Sequence, residues 1–206
     1  MIYYEALQLE DFPIAGFTVE KDYLRGRESI LGLPLVAFEV IESIYPPDQY
    51  DMVVAFTGYK NRGHEREEKY QQAKHKGYTL RNFMSSKADI MPDISWGDNN
   101  IVLAQAHIGV SGVIGSNNLI RQQVYLGHDF KMGSHNQITA GCTIGGECEI
   151  EDYCYLGLGS TIISGIVLAE GTLVGAGCTV IKGTKSYSKN VGNPSRVIGF
   201  RHEETD

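Results

Sequence analysis

The sequence predicts a parallel β-helix preceded by a small α/β unit. Three observations point there. From Ile90 to Val180 every sixth residue is Ile, Leu, Val, Met or Trp, and the phase never slips. That period fits neither a helix at 3.6 nor an alternating strand at 2. It is the hexapeptide signature of a triangular coil made from three short strands. The residue after each apolar position is often small or acidic, as at Gly97, Gly109, Gly127, Gly145 and Glu151, and glycine there suits a tight corner. Before Ile90 the period changes, and short apolar runs alternate with a polar helical stretch.

Taken in order, Met1 to Leu9 reads as the end of a helix running into a strand over Phe12 to Val19. Leu35 to Ile44 is apolar and stops at Pro46-Pro47. Met52 to Thr57 is a second strand candidate, and Tyr78 to Phe83 a third. Arg66 to His75 is a charged helix candidate with Gly77 as its C-terminal stop. Residues 1–88 are therefore expected to form a partial Rossmann-like α/β unit on the acceptor side. The glycine-rich phosphate loop expected after a first strand is absent. Two readings stay open: a preceding strand and loop missing from the sequence, or a shortened domain.

Residues 89–185 make up the prism, and 186–206 the C-terminal tail, whose acidic end reads as solvated. The second inward position, four after the apolar one, holds Ala106, Gly112, Asn118, Val124, Asn136, Ser160, Thr172 and all four cysteines, Cys142, Cys148, Cys154 and Cys178. None of the cysteines forms a CxxC pair, so they read as small buried hydrophobes in a reducing compartment. The open ends of the column need covering, by the N-terminal part and by the segment after Gly183.

A net charge of −7 and a pI near 5.4 argue against nucleic-acid binding. No apolar run is long enough to span a membrane, and no secretion signal is visible, so a cytoplasmic location is expected.

Ionisable groups are sparse on the coils, so His128-Asp129 stands out. A histidine suits removal of a proton from a hydroxyl or amine, and a carboxylate can fix its tautomer. Neighbours on a strand point to opposite faces, so the pair needs a turn or a second chain to meet. A surface histidine is the competing reading. His107 and His135 are spaced so that the three histidines would not converge on one ion, and no metal is expected. His135 is expected to face solvent or a subunit contact, and His64 and His75 to be solvated.

Several segments together resemble a known family: GFTVEKDYL, GLPLVAF, TGYKNRGHERE, HDFKMG, ITAGCTIGG, LGLGSTI, VGAGCTVIKG and VGNPSRVIG. The chain resembles the sialic-acid O-acetyltransferase type of bacterial sugar acyltransferases, which includes nucleotide-amino-sugar N-acetyltransferases. The resemblance implies a left-handed β-helix, a homotrimer with sites between neighbouring prisms, and acetyl-CoA as co-substrate. It implies His128 as catalytic base and Asp129 as its acidic partner. The backbone N–H of Gly146 falls where the family polarises the thioester, and Leu158 and Ala176 fall at the pantetheine arm. Gln137 stands where the family often has a second histidine and is implied as a cofactor-binding residue, and Arg121 stands where the family often has Asn. The implied reaction is direct transfer to a sugar or nucleotide-sugar acceptor. The alternatives are a sugar O-acetyltransferase, a serine acetyltransferase-like enzyme and a non-catalytic trimeric scaffold.

Overall fold

The computed structural model describes residues 2–58 and 63–201. Its larger part is a left-handed parallel β-helix with three faces, sheets of eight, six and five strands. Register advances by one coil of three hexads: Leu126 pairs with Ile108 on one side and Ile144 on the other. The strand Phe83–Met84 already pairs in parallel with Ile101–Val102, and so lies within the eight-stranded face.

The hexad column forms the core. Ile108, Ile120, Leu126, Ile138, Leu156, Leu168, Val174 and Val180 are fully buried. Burying such a side chain contributes about 1.5–3 kcal/mol. The four cysteines line the same interior as free thiols. The sulfurs of Cys142, Cys148 and Cys154 approach carbonyl oxygens, as Cys142 Sγ does that of Gly157 at 3.2 Å. Burial pushes the Cys154 thiol up to about 12. Below the cysteines runs a polar ladder: the Asn100 and Asn118 side-chain oxygens accept from the backbone N–H of Asn118 and Asn136.

The corners correct one expectation. The left-handed backbone falls three residues after each apolar position, at Asn99, Gln105, Ser111, Asn117, Gln123, Asp129, His135, Glu147 and Tyr153, with glycine in the same phase at Gly141, Gly159, Gly165, Gly171 and Gly177. The glycines directly after the apolar position do not take a left-handed φ. They make room instead: a methyl group on Gly127 would lie 2.6 Å from the Gly146 nitrogen in the next coil.

In the N-terminal part, helix α1 (Ile2–Ala6) buries Ala6 in a cluster with Phe83, Ile101 and Leu119. Strand β1 is Phe17–Val19, shorter than the run from Phe12 suggested. A short helix α2 (Lys21–Leu24) follows. Strands β2 (Ser29–Ile30) and β3 (Leu33–Ala37) form an antiparallel hairpin whose turn, Leu31-Gly32, has two positive φ angles, matching the twist of a hairpin. β1 pairs in parallel with β3. The apolar run from Leu35 to Ile44 divides between the end of β3 and a 3-10 helix over Phe38–Ser43.

The strand expected from Met52 to Thr57 reduces to one parallel bridge, Met52 to Leu80. The physical reason lies at Val54. Its N–H donates to Asn99 Oδ1 at 2.8 Å and its carbonyl accepts from Asn99 Nδ2 at 3.2 Å, so a prism side chain takes the place of a neighbouring strand. Helix α3 (His64–His75) matches the predicted helix, and Gly77 takes the left-handed angle at its end. α3 buries Arg66, Tyr70 and Ala73, one face at i, i+4, i+7 spacing.

Beyond the last coil, Ser188–Val191 pairs in parallel with Leu173–Val174, and Arg196–Phe200 folds back antiparallel on it. These two strands extend the eight-stranded face. Arg201 donates to the carbonyls of Tyr153 and Gly171. Residues 202–206 lie outside the described residues.

Candidate functional site

His128 and Asp129 sit at the corner joining the six-stranded face, through Tyr125–Leu126, to the five-stranded face, through Lys131–Met132. A straight strand would send the two side chains to opposite sides. Asp129 has φ 53°, and this left-handed turn brings its carboxylate back to the ring. His128 Nδ1 lies 2.8 Å from Asp129 Oδ2, and more than half of each side chain is open to solvent. A neutral imidazole that donates its Nδ1–H to Asp129 presents an unprotonated Nε2.

The ring lies over Gly146, in the same corner position one coil on. A methyl group on Gly146 would be 2.6 Å from His128 Nε2. The backbone frames this contact: Glu147 N–H donates to the His128 carbonyl at 2.7 Å, and Gly165 N–H to the Gly146 carbonyl at 2.9 Å. The Gly146 N–H has no hydrogen-bond partner among the described residues. The His128 Nε2 and the Gly146 backbone N–H therefore share one corner.

Leu158 and Ala176 occupy a different corner, joining the eight-stranded face at Tyr155–Leu156 to the six-stranded face at Thr161–Ile162. Both are exposed, one coil apart, and are followed by left-handed glycines at Gly159 and Gly177. A methyl group on Gly157 would be 2.5 Å from the Ala176 nitrogen, so this corner needs small residues to stack. Within one prism the imidazole and this corner do not meet.

Gln137 lies on the outer surface of the eight-stranded face, beneath the α/β part. It is 6% exposed, and its Nε2 donates to the Gly58 carbonyl at 2.7 Å. Arg121 is partly exposed. His107 bonds through Nδ1 to Asp89 Oδ2 at 2.7 Å and stacks on Tyr125.

His135 corrects the expectation of an outward side chain. It is buried, with Nδ1 2.9 Å from Asn117 Nδ2, its ring stacked on Tyr153 and edge-on to Tyr70. His64, expected to be solvated, packs its ring 4.6 Å from Tyr153 and bonds to Glu67. His75 is exposed, its Nδ1 2.8 Å from the Gln71 carbonyl oxygen. Among the described residues no group of three or more His, Cys, Asp or Glu is placed to hold a metal ion.

Sequence reasoning missed the groups that hold α3 to the prism. Tyr70 and Lys74 both donate to Asp98, at 2.5 and 2.7 Å. Arg66, fully buried, donates through Nε to the Asn117 carbonyl, and burial lowers its pKa to about 10. A signal existed: Asn99-Asn100, Asn117-Asn118 and His135-Asn136 recur at the coil period. The α/β part also holds a cavity of about 830 Å³, between β1 and the segment from Met52 to Phe56.

Neither a protein-family model nor a curated protein sequence matches the chain. Solved structures do match its fold, among them bacterial acetyltransferases. The acetyltransferase domain of PglB from Neisseria gonorrhoeae superposes with a TM-score of 0.86 at 20% identity, over 96% of this chain and 93% of that one. PerB from Caulobacter crescentus, solved with CoA and GDP-perosamine, gives 0.84 at 22% identity, over 96% and 91%. WeeI from Acinetobacter baumannii gives 0.79 at 22%, over 89% and 85%.

Proposed function

We propose that this chain is an acetyl-CoA-dependent acetyltransferase acting on a nucleotide-linked amino sugar. The carrying observation is the corner where His128, held by Asp129, lies over Gly146. Supporting it, the fold matches the PglB domain, also solved with acetyl coenzyme A, and a perosamine N-acetyltransferase solved with CoA and GDP-perosamine. The latter acceptor favours an amine over a hydroxyl.

In this reading His128 Nε2 takes the proton as the acceptor nitrogen attacks the acetyl carbonyl carbon. The new C–N bond forms, the C–S bond breaks, and CoA leaves as the thiolate. Asp129 stabilises the imidazolium, and the Gly146 N–H steadies the oxyanion. No cysteine serves as nucleophile: all four are buried, and Cys148, Cys154 and Cys178 have their thiol pKa raised by desolvation.

Leu158 and Ala176 line the pantetheine groove in this reading. They stand on a different corner from His128, so base and groove meet only across a subunit boundary, which favours a homotrimer. No described helix is long and apolar enough to cross a membrane, and net charge −7 suits a small-molecule substrate better than nucleic acid.

The test is thiol release from acetyl-CoA with GDP-perosamine and other nucleotide-4-amino sugars, beside free sugars and serine. Release with a nucleotide-amino sugar is expected. Release with serine or free sugar alone, or with no acceptor in the panel, overturns the reading.

A further inference from the structure

Three carbonyl groups in the segment leading out of the α/β sheet meet side-chain donors. Asn99 Nδ2 donates to Val54 O at 3.2 Å, the Arg66 guanidinium to Phe56 O, and Gln137 Nε2 to Gly58 O at 2.7 Å. The accepting residues are alternate ones, the period of an extended chain. Between them Ala55 and Thr57 are exposed. All three donor residues are buried; the bond to Val54 is buried too, and those to Phe56 and Gly58 are partly buried. Gly58 is closely confined: a methyl group there would lie 2.8 Å from Glu65 Oε2 and run into the Phe56 ring.

Gln137 is the last of these clamps. Its strand pairs with those of Leu119 and Tyr155, so the prism fixes where its amide can reach. With its nitrogen given to Gly58 and almost no exposed surface, the side chain is turned toward the α/β part. We infer that Gln137 is a positioning residue: it sets the height of the Phe56–Gly58 strip over the prism, and with it the acceptor side of the site, and does not contact acetyl-CoA. The consequence for the acceptor rests on the acetyltransferase reading; the positioning itself does not.

Gln137→Ala and Gln137→Glu test this. Glutamate keeps the shape, but its carboxylate only accepts, so neither variant can donate to Gly58. Losing a partly buried hydrogen bond of this kind corresponds to about a ten-fold change in an opening equilibrium. Backbone amide order parameters of Phe56, Thr57 and Gly58 from NMR relaxation are expected to fall in both variants, while that of Ile138 in the prism keeps its wild-type value. CoA affinity by titration calorimetry is expected to stay within about two-fold of wild type. With GDP-perosamine as acceptor, its KM should rise about ten-fold with a smaller change in kcat. Unchanged order parameters in the strip, a ten-fold loss of CoA affinity, or loss of order throughout the prism each overturns the inference. A wild-type chain that turns over no acceptor refutes the acetyltransferase reading instead, and the order-parameter and CoA arms still decide the role of Gln137.

Discussion

The His128 imidazole rests on the α-carbon of Gly146, one coil further along the prism, with no space between them for a methyl group. The glycine thus fixes the ring's height as well as supplying a backbone N–H. Gly146→Ala should push the ring off its seat while leaving the hexad core unchanged. A displacement of about 1 Å costs on the order of 10²-fold in rate. Steady-state kcat beside thermal denaturation checks this; unchanged kcat would show that the contact carries no catalytic geometry.

Asp129 has two separable duties, a left-handed backbone angle of 53° and a carboxylate on His128 Nδ1. Asp129→Gly keeps the angle at no steric cost and removes the carboxylate. Stability should stay within about 1 kcal/mol, and kcat should fall by about 10–10²-fold. Equal losses of stability and rate, read from urea unfolding and turnover, would make Asp129 a purely structural residue.

His135 makes the docking of α3 sensitive to acid. Desolvation holds its pKa below the usual histidine value; Glu67 and Asp152 oppose this, and Arg66 and His64 reinforce it. The folded value lies below the unfolded one of about 6.5. The neutral ring's contribution is therefore complete above that value, and is lost as pH falls through the lowered folded value. Protonation also turns the Nδ1 acceptor facing Asn117 into a donor. His135→Asn, extending the Asn99 and Asn117 series, should lose less melting temperature than wild type between pH 8 and pH 5. An identical loss in both would place the acid sensitivity elsewhere.

His128 and Leu158 lie on different corners of one prism, so two inactive variants should complement each other. His128→Ala and Leu158→Asp are each expected to be inactive alone, and to regain turnover when co-expressed or refolded together. Mixed assemblies without activity would mean that the cleft is not shared between subunits.

The prism was legible because one periodic constraint, an apolar residue in every hexad, leaves its mark in the sequence. The cysteines were legible for the same reason, since their phase alone sends them inward. α3 could be read from its charge pattern and the stop at Gly77. What was not legible came from contacts between distant segments. The left-handed corners accept Asn, Gln, Asp, His, Glu and Tyr as well as Gly, so no single residue type marks them. Val54 fails to continue a strand because Asn99, 45 residues away, takes both its backbone groups. His135 and His64 read as surface residues until Tyr153 and Tyr70 close over them. The pairing of His128 with Asp129 needs a turn or a second chain, and the φ of Asp129 supplies the turn.

Turnover of His128→Ala at saturating acetyl-CoA and acceptor tests the central claim most directly. Losing a general base costs about 10²–10⁴-fold in rate, so kcat should drop by that much while CoA affinity and melting temperature stay at wild-type values. A variant turning over at nearly the wild-type rate would contradict the assignment of His128 as base.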